Sequence, residues 1–269
     1  MAALDALNDE PRWVAWRNEQ RGERITKVPH APNGGMAKAN DPTTWGTRDG
    51  AERRLKSILN GLGGGIGIEL GDLDGDTHLA GLDLDSCRGE DGALAPWAKS
   101  FLDHFPTYTE ISPSARGLKL FFYCASENVR PFLDQIGVLS DQWGCRRSVP
   151  GADARDHGPA IEVYFALRYF AVTNERWRHS PDRIMPFDRD TLDRLTKLIP
   201  PARNSASTSA PSTGRAAAAG GGDTSRSAIA FRRRSVAGTR LQEPRRDDRG
   251  AEPRPGHRRL GAPERAIVE

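Results

Sequence analysis

The segment 79–87, with the sequence LAGLDLDSC, constrains the fold most, because an apolar run ends in two aspartates separated by a single leucine. Side chains alternate along a β-strand, so the pattern predicts Asp83 and Asp85 on one face and Leu82 and Leu84 on the other. Two neighbouring carboxylates repel each other, and a divalent cation that prefers oxygen ligands relieves the repulsion. The residues alone leave two interpretations open: a cation site, or two solvated aspartates at the end of a strand.

The residues before this segment predict a hairpin. A strand is predicted at 65–70, and Asp74 and Gly75, which follow it, are typical of a tight turn. The glycine run 61–65 lies before that strand and lacks the spacing of a dinucleotide-binding loop, so it is interpreted as a helix end. Helices are predicted at 48–59, 94–105, 131–138 and 190–198, and further strands at 13–17, 108–112, 117–124 and 161–173. These elements predict an α/β (α+β) fold with a mixed or antiparallel central sheet flanked by helices.

Lys119 is the second unusual residue, because it interrupts the otherwise apolar strand 117–124. A lysine between leucines needs a charged partner or an opening to solvent. Ser112, Ser114 and Arg116 precede it, and their hydroxyls, backbone amides and positive charge suit a triphosphate. The alternative interpretation is an ion-paired lysine at the edge of the sheet.

Two further charged residues lie on predicted strands. Glu162 alternates with apolar residues in the segment 161–173 and adds a third carboxylate. Lys27 lies on a short edge strand that prolines restrict, and it is either a phosphate contact or a solvated edge charge.

The composition narrows the class of protein only slightly. A net charge of +3 and a pI near 8.9 permit binding to a polyanion without demanding it. The three cysteines form no CxxC pair, so neither a disulfide framework nor a zinc site is indicated. The amino terminus lacks the pattern of a signal peptide and no run reaches 18 apolar residues, so we expect a cytoplasmic protein without membrane contact.

Three motifs occur in a fixed order: Asp83-x-Asp85, the segment 112–122 (SPSARGLKLFF), and Glu162 in IEVYFALRYFAVT. With them, the chain resembles the primase-polymerase branch of the archaeo-eukaryotic primase superfamily. The resemblance is closest to the bifunctional DNA primase/polymerase amino-terminal domains of phages and mobile elements. It covers residues 10–200 and includes the segments WVAWR, KVPHAP and DPTTW. Each motif is weak alone, but three in order within one predicted α/β unit are fairly specific.

The resemblance implies the roles of individual residues. It implies that the catalytic ligands of two Mg²⁺ or Mn²⁺ ions are Asp83, Asp85 and Glu162. The residues expected to bind the NTP or dNTP substrate are Ser112, Ser114, Arg116, Lys119, Arg168 and Lys27. One departure is clear: Lys119 stands where the second motif of the family commonly ends in histidine. A lysine can hold phosphate charge but cannot replace a neutral imidazole.

The implied function is template-directed nucleotidyl transfer by a two-metal mechanism, in a phage, prophage or plasmid replication module. The expected partner is single-stranded or primed DNA, and a replicative helicase is a candidate partner. Two other functions are compatible with the residues. One is a metal-dependent nuclease, and the other is an inactive remnant that binds single-stranded nucleic acid.

The carboxy-terminal part changes in composition. Residues 1–200 are predicted to form the catalytic domain, and 201–222 a flexible linker that is poor in apolar residues. The start of 223–269 resembles a helical module of relatives, but apolar periodicity is lost after Phe231. We therefore expect a truncated or frameshifted remnant that is mostly disordered. Its basic residues either have no function or contact nucleic acid without specificity.

Overall fold

Two β-sheets form the framework of the residues described by the computed structural model, 3–150 and 158–202. In sheet A the strands run antiparallel in the order β10-β3-β1-β2. They comprise β1 (Trp13–Arg21), β2 (Arg24–His30), β3 (Gly64–Glu69) and β10 (Tyr169–Val172). The edge strand β2 follows a tight turn at Gly22, which has a positive φ of 61°.

Sheet B carries the segment with the two aspartates near its centre. Its main path is β11-β7-β5-β9-β8, with β4 paired to β5 and β6 paired to β7. β11 runs parallel to β7, and the other pairs are antiparallel. The strands are β4 (Gly71–Asp72), β5 (Thr77–Asp85), β6 (Thr109–Ile111), β7 (Leu118–Ala125), β8 (Gly144–Ser148), β9 (Ala160–Tyr164) and β11 (Met185–Pro186).

Helices flank the sheets, and the predicted mixed α/β fold is confirmed for the described residues. They are α1 (Arg48–Ile58), α2 (Pro96–His104), α3 (Ser126–Gln135) and α4 (Arg189–Thr196), with short 3-10 helices at Asp5–Leu7 and Pro42–Thr44. Side-chain caps fix two of the helix starts: Thr47 accepts a hydrogen bond from the backbone N–H of Gly50, and Asp188 accepts one from Thr191. None of the helices in the described segments is long and apolar enough to span a bilayer.

The two faces of β5 differ as the alternation predicts. Leu82 and Leu84 are fully buried in a core with Phe101 and Phe132, which α2 and α3 contribute. Asp83 lies between these leucines in the strand, so its side chain emerges on the opposite face. Helices α2 and α3 therefore cover one face of sheet B and leave the other for sheet A and for the charged residues.

Phe170 of β10 joins the two sheets. Its ring packs edge to face against Phe121 of β7, with centroids 5.7 Å apart, and against Tyr164 of β9 at 6.4 Å. Gly81 of β5 permits this approach, because a Cβ there would lie 2.3 Å from the Phe170 ring. Sheet A consequently rests on the face of sheet B that carries Asp83.

The predicted hairpin between 65–70 and the aspartate strand was wrong. β3 belongs to sheet A, and only the two residues of β4 pair with β5. Gly71 separates the two pairings, and its positive φ of 148° is backbone geometry that favours glycine. The turn itself is present, since the Asp74 carboxylate accepts hydrogen bonds from the backbone N–H groups of Asp76 and Thr77.

The predicted linker and remnant at 201–222 and 223–269 lie outside the described residues, apart from residues 201 and 202. The domain boundary at residue 200 stays a prediction.

Candidate active site

The strand register of sheet B aligns charged residues from five strands. Glu110 on β6 lies opposite Lys119 on β7, which lies opposite Asp83 on β5. Asp83 lies opposite Glu162 on β9, which in turn lies opposite Arg146 on β8. Directly paired residues of antiparallel strands share a face, with Cβ atoms about 5 Å apart. We call these five residues the charged row; it brings the separate sequence motifs together.

A cavity of about 530 Å³ lies over every member of the charged row except Glu110, and we call it the carboxylate cavity. Within the described residues, three carboxylates and five cationic side chains line it. These are Asp83, Asp85 and Glu162, with Arg24, Lys27, Lys119, Arg146 and Arg168. The remaining lining residues are Ile25 and Thr26 of β2 and Tyr169 and Ala171 of β10. An excess of cations around clustered carboxylates suits a polyanionic ligand that arrives with metal ions.

Lys119 forms an ion pair with Asp83. The ammonium donates a hydrogen bond to Oδ2 of Asp83, and both residues are nearly buried, with exposed fractions of 9% and 7%. Its Nζ also lies 4.5 Å from the centre of the Phe170 ring. The ion-paired interpretation of Lys119 is thus confirmed, but β7 is an interior strand and not an edge, because it pairs with β5 and with β6.

The surroundings of Asp85 disfavour the charged form of its carboxylate. Burial raises its pKa to about 7, and the negative charges of Asp83 and Glu162 act in the same direction, against the opposing charge of Lys119. Nη2 of Arg146 lies 3.6 Å from Oδ2 of Asp85 and supplies a nearby positive charge.

Two arginines hold Glu162. Nε of Arg146 lies 2.9 Å from Oε1, and Nη2 of Arg168 lies 3.5 Å from Oε2. Arg168 directly precedes β10, and its guanidinium lies 4.9 Å from the Tyr164 ring. The sequence predicted a place for Arg168 in the site but missed Arg146, because only the register of β8 against β9 reveals its partner. Its neighbour Cys145 is buried in β8.

Lys27 lies close to the same charges. Burial lowers its pKa, and so does the charge of Lys119, whereas Asp83 and Asp85 oppose the shift. Nζ of Lys27 lies 5.5 Å from the centre of the Trp16 ring. Lys27 also lines a second cavity of about 710 Å³, which adjoins the first through Ile25 and Lys27.

The residues of the 112–116 loop are only partly brought to the site. Ser114 lines the second cavity, and its Oγ lies 3.0 Å from Oγ of Ser112. Oγ of Ser112 accepts a hydrogen bond from the backbone N–H of Gly117, so it shapes the loop. Arg116 lines neither cavity, and its guanidinium lies 3.8 Å from Glu90. The nucleotide-binding roles of these three residues stay predictions.

The donor set suits a hard divalent ion in kind, since carboxylate oxygens are the ligands that Mg²⁺ and Mn²⁺ prefer. Oδ1 of Asp83 is buried and has no hydrogen-bond partner within the described residues. In the described ranges, however, no group of three or more His, Cys, Asp or Glu donors is spaced to hold an ion. Asp83, Asp85 and Glu162 each contact a cationic side chain of the protein instead.

Comparison with known proteins agrees with the class of protein that the fold and the motifs suggest. The chain is 32% identical over 175 residues to a DNA primase-polymerase of Nitratiruptor phage NrS-1. The match covers 64% of this chain and 20% of the phage protein, so the chain spans about a fifth of that relative's length. No protein-family model matches the chain. The similarity supports a relationship of the primase-polymerase type.

Proposed function

We propose that the domain is a DNA primase/polymerase, a nucleotidyltransferase that adds NTPs or dNTPs to a strand under the direction of a single-stranded or primed DNA template. The observation that carries the proposal is the convergence of Asp83, Asp85 and Glu162 with five cationic side chains in the carboxylate cavity. Similarity to a phage DNA primase-polymerase supports the same class of reaction.

Asp83, Asp85 and Glu162 would hold the divalent ions, Mg²⁺ or Mn²⁺. When bound, two such ions activate an attacking 3′-hydroxyl and stabilise charge on the α-phosphate and the departing pyrophosphate. Binding them requires the carboxylates to exchange their present contacts with protein cations for contacts with metal.

The cationic side chains would bind and orient the triphosphate. Lys27 reaches the cavity from β2 of sheet A, and Arg168 reaches it from the residue before β10. Lys119 and Arg146 reach it from sheet B. Contacts from a cation to phosphate oxygens are charge-assisted and strong, and an arginine can make two in parallel. The adjoining second cavity offers space for the remainder of the nucleotide or for the template strand.

An incorporation assay tests the proposal. The purified full chain is given a template with and without primer, either NTPs or dNTPs, and Mg²⁺ or Mn²⁺. We expect metal-dependent extension, and Glu162→Gln should reduce it at least about 100-fold because the third carboxylate is lost. Glu127→Gln, an exposed change on α3, is the matched control and should extend as the wild type does. Absence of incorporation by the wild type under all these conditions would contradict the proposal.

A second candidate function is binding of single-stranded nucleic acid without catalysis. It is favoured by the ion pair between Lys119 and Asp83, which replaces a metal contact by a protein contact. Template binding without metal-dependent incorporation would support it. Cleavage of labelled DNA in place of extension would instead identify a nuclease. A helicase partner and a role in a phage, prophage or plasmid replication module remain proposals that rest on the resemblance.

A further inference from the structure

Asp83 has one counter-charge in direct contact within the described residues, and this is Lys119. The ammonium contacts Oδ2, while Oδ1 is buried without a partner. Glu162 has the guanidinium groups of Arg146 and Arg168. The neutralisation of Asp83 therefore rests on a side chain from the neighbouring strand.

Lys119 is not needed by the carboxylate on its other side in the charged row. Glu110 is fully buried, and it accepts hydrogen bonds from the Tyr108 hydroxyl at 2.7 Å and from the backbone N–H of Thr173 at 2.8 Å. Neutral donors thus satisfy Glu110, and the ammonium is available to Asp83. The row consequently directs Lys119 toward the carboxylates of the cavity.

We propose that Lys119 is a tethered counter-ion that competes with divalent metal for Asp83. With no metal bound, its ammonium occupies the carboxylate and offsets the repulsion among Asp83, Asp85 and Glu162. A divalent ion that uses Asp83 must displace this ammonium. The displaced group remains in the same cavity, where it contacts the phosphates of a nucleotide; this last step rests on the proposed function, whereas the competition does not.

The chemistry of lysine fits this role. An ammonium is a compact charge on a flexible four-carbon stem, so it can leave one anion for another without a fixed geometry. The carboxylate that it leaves offers oxygen donors to a metal, and the cavity in which it remains contains Lys27 and Arg168 for further phosphate contacts. Metal and nucleotide would therefore favour each other's binding, because each makes the displacement of Lys119 less costly.

The test is a titration with Mn²⁺ in the absence of nucleotide. Electron paramagnetic resonance measures the free Mn²⁺ at each step. In Lys119→Gln the charge is removed while a hydrogen-bond donor for Asp83 is kept, and we expect Mn²⁺ to bind about tenfold tighter than in the wild type. Lys27→Met removes one charge from the same cavity without removing a contact to Asp83. It should tighten binding much less.

A wild-type measurement complements the variants in case they fail to fold. The ¹³Cε resonance of Lys119 should shift on addition of Mg²⁺ alone, because the ammonium leaves Asp83. A resonance that does not move at saturating Mg²⁺ would overturn the proposal. Mn²⁺ affinity in Lys119→Gln equal to or weaker than that of the wild type, or no Mn²⁺ binding by the variant, would also overturn it.

The outcome separates this inference from the proposed function. Tighter Mn²⁺ binding in Lys119→Gln together with absent primer extension by the wild type would support the counter-ion role of Lys119 and contradict the proposed polymerase function. Primer extension by the wild type with unchanged Mn²⁺ affinity in Lys119→Gln would support the polymerase function and contradict the counter-ion role.

Discussion

Around β5, the two faces of sheet B bury side chains of opposite chemistry to a similar depth. Leu82 and Leu84 are fully buried against the helices, whereas Asp83, Glu162 and Lys119 on the other face are exposed by only 7%, 5% and 9%. Burying leucines stabilises the fold through loss of apolar surface from water. Burying charges costs desolvation energy, which their pairing only partly repays. The charged face therefore forms the candidate site but lowers the stability of the fold, whereas the apolar face raises it.

The largest expected effect comes from breaking the ion pair on one side only. Lys119→Ala leaves Asp83 buried with no cation in contact, and we expect a loss of about 3–5 kcal/mol in the free energy of unfolding at pH 7. Urea denaturation measures it. The paired change Asp83→Asn with Lys119→Met removes both charges and should cost far less. Equal losses in the two variants would mean that packing, and not charge, determines the stability of this face.

The apolar face is tested by Leu82→Ala, which should destabilise the protein by about 2–5 kcal/mol through the cavity left among the aromatic side chains of the helices. Primer extension per folded molecule should stay unchanged, since Leu82 points away from the carboxylate cavity. Extension lost in a well-folded Leu82→Ala protein would show that the two faces are not independent.

Glu69 of β3 is a fully buried carboxylate in sheet A. Both of its carboxylate oxygens lack hydrogen-bond partners within the described residues. Burial raises its pKa to about 7, and the charges of Arg12 and Arg168 oppose the shift. Because the folded-state pKa lies above the unfolded value, the folded protein takes up the proton more readily. The resulting stabilisation is complete below the unfolded pKa, near 4, and is lost as the pH rises to about 7.

The variant Glu69→Gln cannot ionise, so it should escape this loss. Relative to the wild type, its free energy of unfolding should rise between pH 4 and pH 7 by up to about 3 kcal/mol and then level off. Denaturation curves at a series of pH values measure the difference. A difference that does not vary with pH would contradict the assignment of a raised pKa to Glu69.

Local patterns allowed one face of the site to be predicted from the sequence. Strand alternation placed Leu82 and Asp83 on opposite faces, because the side-chain period of a strand depends on neighbouring residues alone. Lys119 was also predicted to need either a charged partner or an opening to solvent, because its neighbours in the strand are apolar.

The rest depends on strand order and register, which join residues far apart in the chain. Asp83 pairs with Lys119, which lies 36 residues further along the chain, and with Glu162 on the still later strand β9. Arg146 was missed for the same reason. The predicted pairing of 65–70 with β5 was wrong because the chain crosses from sheet A to sheet B at Gly71, where a local turn pattern gives no indication of the change of sheet.

The charged face is tested most directly by primer extension with the double variant Asp83→Ala and Asp85→Ala. The matched control is Asp103→Ala with Asp134→Ala, which removes two exposed helical carboxylates. Circular dichroism first establishes that both proteins fold. We predict that Mg²⁺- or Mn²⁺-dependent extension is abolished in the first protein and retained in the control. Undiminished extension by Asp83→Ala with Asp85→Ala would contradict the assignment of the site.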